Sequence, residues 1–409
     1  MNPSSIRRYL WTAGLTASLL LASLVGVNYL VDPYFTHQWD SPALSRLSPA
    51  QQKIVPWAKT YAAYRFHPEV VYLGSSRTEI GLPPDVPQFA GKRVFNLAIS
   101  GASLGDAVRM LNHTSYFHQP EIVVWGLDFG WQFGPQIDNK DLKEYLVAKE
   151  SWYPLKRLFT NLYRSLSLTM TKASWEILLG ISEQRCLPLL ATWGHKSDLC
   201  LEQIMADEGG TAKAFEKAVT TAWPLTTPEH FKPGFEMLDG VTQEYCRRGV
   251  KFRFFLQPVH ALGELVYWER SWRQQEDWKR DLVKLFDQRR QEGCDIRFFD
   301  FSGYNRITTE EAALPGNGRQ MKYYWEYSHY NSLAGREMLD KMFAPPATGG
   351  SDDFGTELTG TTIETHLRQF REQRAAYCAS HPQETRRMGT CKIDPNGQPL
   401  GPNPAGTGA

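Results

Sequence analysis

The chain has 409 residues, of which 42% are hydrophobic and 22% charged, so a large packed core is feasible and global disorder is excluded. The formal net charge is only +1, which leaves no strong basic field for holding nucleic acid. The 13 tryptophans are expected to lie mainly in the core, with a groove that stacks on sugar rings as the alternative.

The N-terminal segment predicts a membrane helix. Residues 9–31 carry no charge, and about 20 apolar residues suffice to cross a bilayer. Arg7 and Arg8 precede this run and no basic cluster follows it closely, so the positive-inside rule places residues 1–8 in the cytoplasm and the remainder in the periplasm. A cleaved signal peptide is the alternative. The long apolar run, which ends without a small-x-small site, favours a single uncleaved anchor in a bacterial inner membrane.

After a connecting segment at 32–67, apolar runs rich in β-branched and aromatic residues predict five strands, at 70–74, 93–99, 121–129, 250–258 and 296–301. Amphipathic patterns predict helices between or after them, at 104–117, 228–248, 271–292 and 332–343. This alternation indicates parallel crossover connections. The predicted fold over residues 68–344 is therefore α/β, a three-layer α/β/α sandwich around a mostly parallel sheet.

Two regions do not follow this alternation of strands and helices. Residues 130–224 are too many for one crossover and are interpreted as a helical insertion that caps the sheet, with its apolar faces in the core rather than on a partner surface. The tail at 345–409 predicts one helix over 361–379 and a disordered Gly/Pro-rich end at 399–409.

The six cysteines all follow the expected anchor, where an oxidising space would preserve disulfides. None has the CxxC spacing of a zinc or redox site. Two pairings would each close a short loop, Cys186 with Cys200 and Cys378 with Cys391. The remaining two, Cys246 and Cys294, are either neighbours or plain buried thiols. The sequence alone does not fix the connectivity.

Chemistry-bearing residues recur directly after the predicted strands. In an open α/β sheet, ligands bind beyond the carboxyl ends of the strands, so these turns are the candidate site. The turns, with the segment that precedes the last sheet-packing helix, read GSSR (74–77), SGAS (100–103), GLDF (126–129), QPVH (257–260) and EYSHYN (326–331).

Three of these segments resemble the sequence blocks of SGNH/GDSL hydrolases: LGSSRTEIGL, FNLAISGAS and EYSHYN. The resemblance covers about residues 68–130 and 250–343. It implies that Ser76 is the nucleophile and that Gly101 supplies a backbone N–H to the oxyanion hole. It also implies that Glu326 and His329 complete a catalytic triad.

The chemistry of these residue types agrees with that assignment. A serine hydroxyl is a poor nucleophile until a base takes its proton, and His329 can act as that base within hydrogen-bond reach. Glu326 lies three residues earlier, so both side chains can face the same way, and its carboxylate can fix the imidazole tautomer. The backbone N–H groups of Ser76 and Gly101 would stabilise the developing oxyanion.

Two residues depart from the family pattern in ways that matter. Ser75 stands where the family usually has Asp, and Asp128 stands where it has an oxyanion-donating Asn. An ionised Asp cannot donate a hydrogen bond. Asp128 is therefore a doubtful oxyanion residue: it is protonated or otherwise engaged, Arg77 compensates for it, or the site is not a normal hydrolase. A purely structural hydrogen-bond acceptor is the favoured role.

Two further residues are candidate substrate contacts. Arg77 could bind an anionic or polar substrate, with a surface charge or structural pair as the alternative. His260 could line the same cleft, with a helix-capping role as the alternative. No metal ion or cofactor is expected.

The anchored arrangement resembles proteins of exopolysaccharide O-acetylation, such as those acting on alginate. That resemblance implies an acyl esterase or O-acetyltransferase with a polysaccharide or acyl-ester substrate and a membrane protein as possible acyl donor. A catalytically degenerate scaffold subunit of a polysaccharide modification or export complex is the main alternative, and a lipase-like esterase acting on membrane lipids is a weaker one.

Overall fold

The structure is a computed structural model that describes residues 3–34, 55–130, 132–133, 139–180, 193–220, 231–269, 271–345 and 353–392. Fourteen helices occur in these ranges: α1 Pro3–Val31, α2 Val55–Phe66, α3 Ser76–Gly81, α4 Leu104–Phe117, α5 Tyr153–Ser165, α6 Leu168–Leu178, α7 Asp198–Asp207, α8 Thr211–Thr220, α9 Lys232–Arg247, α10 Ala261–Trp268, α11 Trp272–Gln291, α12 Ser332–Phe343, α13 Ile363–Ser380 and α14 Pro382–Arg387.

A six-stranded sheet runs through the α/β fold in the order β2-β1-β3-β4-β5-β6. Its strands are β1 Val70–Leu73, β2 Val94–Asn96, β3 Ile122–Leu127, β4 Lys251–Leu256, β5 Ile296–Asp300 and β6 Thr356–Glu357. The first five strands pair in parallel, which confirms the predicted strands and the mostly parallel sheet. The edge strand β6 pairs antiparallel with β5 and was not predicted.

The hydrophobic core lies on both faces of the sheet, because successive strand residues point to opposite sides. On one face Leu73, Trp125 and Phe254 belong to a cluster that includes residues of α4, α9 and α11. On the other face Tyr72, Val124 and Phe255 pack in a second cluster with residues of α12. Strands buried on both sides explain the near-continuous apolar runs in the sequence.

Helix α1 is the one described helix long and apolar enough to cross a membrane, a test that a signal sequence near the N-terminus also passes. It does not stand apart from the rest of the protein. Asn28 near its C-terminal end is fully buried, and its side-chain amide donates to the Ser165 carbonyl at 2.7 Å and to the Thr171 hydroxyl at 2.9 Å. The end of α1 therefore packs against α5 and α6.

Helices α5 to α8 occupy the predicted insertion between β3 and β4. The expectation that the apolar faces of this insertion lie in the core is wrong for α5. Leu158 and Phe159 are each 60% exposed, whereas Arg157 and Asn161 are buried. The reason is that Arg157 faces inward, where its guanidinium donates to the Trp57 carbonyl and the Thr60 hydroxyl of α2.

Two disulfides are described. Cys246, at the end of α9, bonds Cys294, which precedes β5, and Cys378 on α13 bonds Cys391. Cys186, predicted to pair with Cys200, lies outside the described residues. Helix α13 confirms the helix predicted at 361–379, while the Gly/Pro-rich end at 399–409 also lies outside the described residues.

Candidate active site

The turn after β1 places Ser76 as the first residue of α3. Gly74 has φ +145°, and a β-carbon there would lie 2.3 Å from the Thr78 hydroxyl and 3.1 Å from the Gly126 carbonyl, so only glycine fits. Ser75 precedes the helix in an extended conformation. This sharp strand-to-helix turn leaves Ser76 partly exposed at the carboxyl edge of the sheet.

The structure brings together the three residues assigned to the triad. Ser76 Oγ lies 2.8 Å from His329 Nε2, and His329 Nδ1 hydrogen-bonds Glu326 Oε1. The Glu326 carboxylate also accepts the backbone N–H groups of His329 at 2.8 Å and Ser328 at 3.2 Å. If Nδ1–H donates to Glu326, Nε2 is left as the acceptor for the Ser76 proton, which is the tautomer a general base requires.

Side-chain hydrogen bonds hold the loop that carries His329 against the helix that carries Ser76. Asn331, two residues after the histidine, caps α12 by accepting from Leu333 N at 3.0 Å. The Tyr330 hydroxyl donates to Gln257 Oε1 at 2.9 Å, and Gln257 Nε2 donates to the Thr78 hydroxyl at 2.8 Å. This chain connects the histidine loop to the helix that carries Ser76.

The loop after β2 presents Gly101, which is exposed and has φ +71°. The backbone N–H groups of Ser76 and Gly101 have no acceptor among the described residues. The loop lies beside the Ser76 turn, because Ile99 N donates to the Gly74 carbonyl at 3.2 Å. Both N–H groups therefore remain available for the predicted oxyanion role.

A buried ion pair that sequence reasoning missed holds this loop. Glu79 accepts the Ser100 backbone N–H at 3.0 Å and the Ser100 hydroxyl at 2.6 Å, and it pairs with Lys59 of α2 at 2.9 Å. Burial alone would raise the pKa of Glu79, but the charges of Lys59 and Lys196 and the Ser100 hydroxyl outweigh it and lower that pKa. Glu79 was visible inside the Ser76 block, whereas nothing in the sequence marked Lys59 as its partner.

Another contact that the sequence did not reveal comes from the start of the insertion. The side-chain amide of Asn139 donates to the Ser100 carbonyl at 3.1 Å, and its backbone N–H donates to Asp106 at 2.8 Å. Asp106 also forms a capping box with Ser103 at the start of α4. The Ser103-x-x-Asp106 spacing is a readable signal, but the position of Asn139 in a long insertion gave none.

Asp128 acts as an acceptor at the end of β3. Its carboxylate accepts the Ser75 hydroxyl at 2.6 Å and forms an ion pair with Arg77, and the residue is buried. A carboxylate that accepts from both neighbours has no proton to donate to an oxyanion, so its predicted place in the oxyanion hole is corrected. The structural-acceptor role that the sequence favoured fits this arrangement.

Arg77 links two parts of the site. Besides its ion pair with Asp128, its Nε donates to the Ser328 hydroxyl at 3.0 Å, and its side chain is only 14% exposed. Burial disfavours the cation, but the Asp128 carboxylate outweighs this and raises the pKa of Arg77. These contacts fit the structural-pair alternative better than the predicted substrate contact.

His260 is buried with both ring nitrogens occupied, which corrects its predicted substrate contact. The residue is fully buried and caps α10, with its side chain accepting from Leu262 N at 3.2 Å. Its Nε2 hydrogen-bonds the Glu310 carbonyl at 2.8 Å. Burial lowers the pKa of His260 to about 4, so it stays neutral. Both ring nitrogens are occupied, and neither can bind a substrate.

Among the described residues, no group of three or more His, Cys, Asp or Glu side chains is arranged to hold a metal ion. Comparison with known proteins finds no protein-family model that matches this chain and no curated protein that matches it.

Proposed function

We propose that the protein is a membrane-anchored, SGNH-type serine esterase or O-acyltransferase that acts on an envelope or extracellular polysaccharide. The observation that carries this proposal is the hydrogen-bonded series from Ser76 through His329 to Glu326, with 2.8 Å between Ser76 Oγ and His329 Nε2. A nucleophile, a base and a carboxylate that orients the base, at the edge of a parallel sheet, are the parts that acyl transfer needs.

In the proposed reaction, Ser76 Oγ attacks the carbonyl carbon of an acyl ester while His329 Nε2 takes the hydroxyl proton. The backbone N–H groups of Ser76 and Gly101 stabilise the oxyanion of the tetrahedral intermediate. The intermediate collapses, His329 protonates the departing alcohol, and the acyl group stays on Ser76. Water or a sugar hydroxyl then attacks this ester, gives its proton to His329 and releases Ser76, which regains a proton from His329.

The contacts of α1 favour an anchor over a cleaved signal sequence. Removing α1 would take away the Asn28 amide that donates to Ser165 and Thr171. Tyr34, just after α1, is buried in a small cluster with Met170 and Ala173. With Arg7 and Arg8 on the cytoplasmic side, the proposal places the α/β domain in the periplasm of a bacterium, next to any acyl-donating protein of the inner membrane.

The competing proposal is a catalytically degenerate scaffold subunit of a polysaccharide modification or export complex. Asp128 at the position of an oxyanion-donating Asn favours it. The ion pair between Asp128 and Arg77 weakens it, because the carboxylate charge is matched by a cation and the two backbone N–H donors remain.

The deciding experiment measures hydrolysis of p-nitrophenyl acetate by the purified full chain in detergent. Ser76→Ala should lower kcat/KM by at least about 1,000-fold, whereas Ser380→Ala on the exposed side of α13 should leave it unchanged. Equal rates for wild type and Ser76→Ala would reject the triad assignment. No hydrolysis by the wild type, repeated with acetylated polysaccharide as substrate, would favour the scaffold.

A further inference from the structure

Helix α5 buries its polar face and exposes its apolar face, which is the reverse of an ordinary surface helix. The side chains that face the protein are polar or amphipathic: Tyr153, Arg157, Asn161 and Ser165 are buried. The opposite side is apolar and exposed: Leu155, Leu158, Phe159, Leu162, Tyr163 and Leu166. These positions follow the i, i+3, i+4, i+7 spacing of a single helix face.

Contacts with α2 fix this orientation. The Arg157 guanidinium donates to the Trp57 carbonyl at 2.7 Å and to the Thr60 hydroxyl at 3.2 Å. It also lies 4.8 Å from the centre of the Trp57 ring, in a cation–π arrangement. Rotating α5 to bury its leucines would take Arg157 away from these partners, so the apolar face is held outward.

The exposed apolar surface continues onto α6 and reaches the membrane helix. Leu168, Trp175 and Leu178 of α6, and Leu179 directly after it, are between 49% and 83% exposed. The Ser165 carbonyl at the end of α5 and the Thr171 hydroxyl of α6 both accept from Asn28 of α1. We call the exposed apolar residues of α5 and α6 the juxtamembrane face. It begins where α1 ends, so in a bilayer spanned by α1 it would lie at the depth of the membrane surface.

We propose that the juxtamembrane face is embedded in the interfacial region of the same bilayer that α1 crosses. Soluble monomers rarely expose a contiguous apolar patch larger than a few hundred Å². A helix with one apolar face, lying in the plane of the interface, buries that face at the boundary between headgroups and acyl chains. Trp152, Tyr163 and Trp175 are exposed here, and such rings favour the headgroup level.

Lipid is the occupant that the contacts with α1 select. The end of α1 is packed against α5 and α6, so a bilayer around α1 meets this face in a single copy of the chain, with no other protein present. The inference rests on the proposed membrane anchor but does not depend on the chemistry at Ser76.

Embedding this face would also orient the candidate active site. Arg157 contacts α2 at Trp57 and Thr60, and Lys59 between them pairs with Glu79, which binds the Ser100 loop. One helix thus connects the membrane-facing surface to the predicted oxyanion loop. The bilayer would then hold the domain by two elements and limit its rotation about α1.

The test uses nitroxide labels on cysteines introduced into the full chain. The described native cysteines are disulfide-bonded and do not compete for the label. Leu158→Cys and Leu162→Cys report on α5, and Leu20→Cys reports on α1. Asp277→Cys reports on the exposed side of α11. Each variant is reconstituted alone in phosphatidylethanolamine/phosphatidylglycerol vesicles. Collision rates are measured with oxygen, which partitions into lipid, and with a water-soluble nickel chelate.

The proposal expects the oxygen-to-nickel ratio at Leu158 and Leu162 to exceed that at Asp277 several-fold and to approach that at Leu20. Ratios as low as at Asp277, with Leu20 still in lipid, would overturn the proposal and leave the anchor intact. Low collision rates with both reagents would overturn it in favour of contact with a second copy of the chain. A Leu20 label that reports water would overturn the anchor as well, while hydrolysis dependent on Ser76 would stand separately.

Discussion

Arg77 and Asp128 form an ion pair that joins the turn after β1 to the end of β3. Arg77 immediately follows the proposed nucleophile and also donates to Ser328, the residue before His329. The residue that departs most from the SGNH pattern is thus part of the framework that holds Ser76 against His329. The negative charge of Asp128 is balanced by the positive charge of Arg77, so a change at one of the two residues also affects the other.

Replacing Asp128 by Asn should weaken the protein rather than repair it. Asp128→Asn would leave the largely buried Arg77 cation without its carboxylate, and breaking a buried pair by removing one partner costs about 3–5 kcal/mol. We expect the free energy of unfolding in urea to fall by an amount in this range and kcat/KM for ester hydrolysis to fall with it.

The double variant Arg77→Gln/Asp128→Asn provides the control. Removing both charges should cost less than the sum of the two single changes, since neither ion is then left unpaired. An Asp128→Asn variant that hydrolyses the ester faster than wild type would contradict this account. It would mean that Asp128 repels the oxyanion.

Glu326 should act through His329 rather than by binding substrate. Glu326→Gln weakens the hold on His329 Nδ1–H and permits the wrong imidazole tautomer, so kcat should fall by about 100-fold to 10,000-fold with little change in KM. Steady-state kinetics of the full chain in detergent measure both constants. Glu244→Gln, an exposed change on α9, should leave both unchanged. A rise in KM alone would reject the positioning role.

Much of the fold was predictable because the apolar residues of its strands and helices follow clear sequence patterns. Strands buried on both faces give unbroken apolar runs, and α4 and α12 match the predicted helices residue for residue. The carboxyl-edge rule accounts for the position of Ser76, which follows β1. Glu326 and His329 directly follow no strand of the sheet, and their place beside Ser76 was implied only by the resemblance to SGNH hydrolases.

The features that the sequence did not predict correctly share a physical cause. Contacts with residues distant in sequence determine them. His260 follows a strand as a cleft residue would, yet the Glu310 carbonyl and α10 occupy its ring. The pattern on α5 shows an amphipathic helix but not which side faces inward, because that depends on the carbonyl of Trp57. Strand β6 has only two residues, too few for any periodicity.

The ion pair between Lys59 and Glu79 should contribute to both stability and activity. Lys59→Met would take the ion-paired cation from the buried Glu79 carboxylate and leave only the charge of Lys196 near it, which we expect to cost about 3–5 kcal/mol in urea unfolding. Because Glu79 binds Ser100 beside Gly101, kcat should also fall. Lys92→Met is the matched control: Lys92 pairs with Glu121 at the surface, and its loss should cost under about 1 kcal/mol. Equal losses for the two variants would refute the special role of Lys59.

The burial of Glu264 should make the free energy of unfolding depend on pH. It is buried on α10, where Gln275 donates to one carboxylate oxygen at 2.8 Å and the other oxygen has no partner among the described residues. Burial raises the pKa of Glu264 to about 7, above the value of about 4.3 expected in the unfolded chain. The folded state therefore holds this proton more tightly than the unfolded state.

The direction in which the free energy of unfolding changes with pH follows from proton linkage. Below about pH 4.3 both states are protonated and the contribution of Glu264 is fully present. As the pH rises to about 7 the unfolded state ionises first, so the free energy of unfolding falls, by up to about 4 kcal/mol from this group, and then levels off. Glu264→Gln cannot ionise, so its urea unfolding curves between pH 5 and 8 should lack this part of the decline. Parallel pH profiles for wild type and variant would show that Glu264 is already ionised in the fold, because a group that titrates alike in both states contributes no slope.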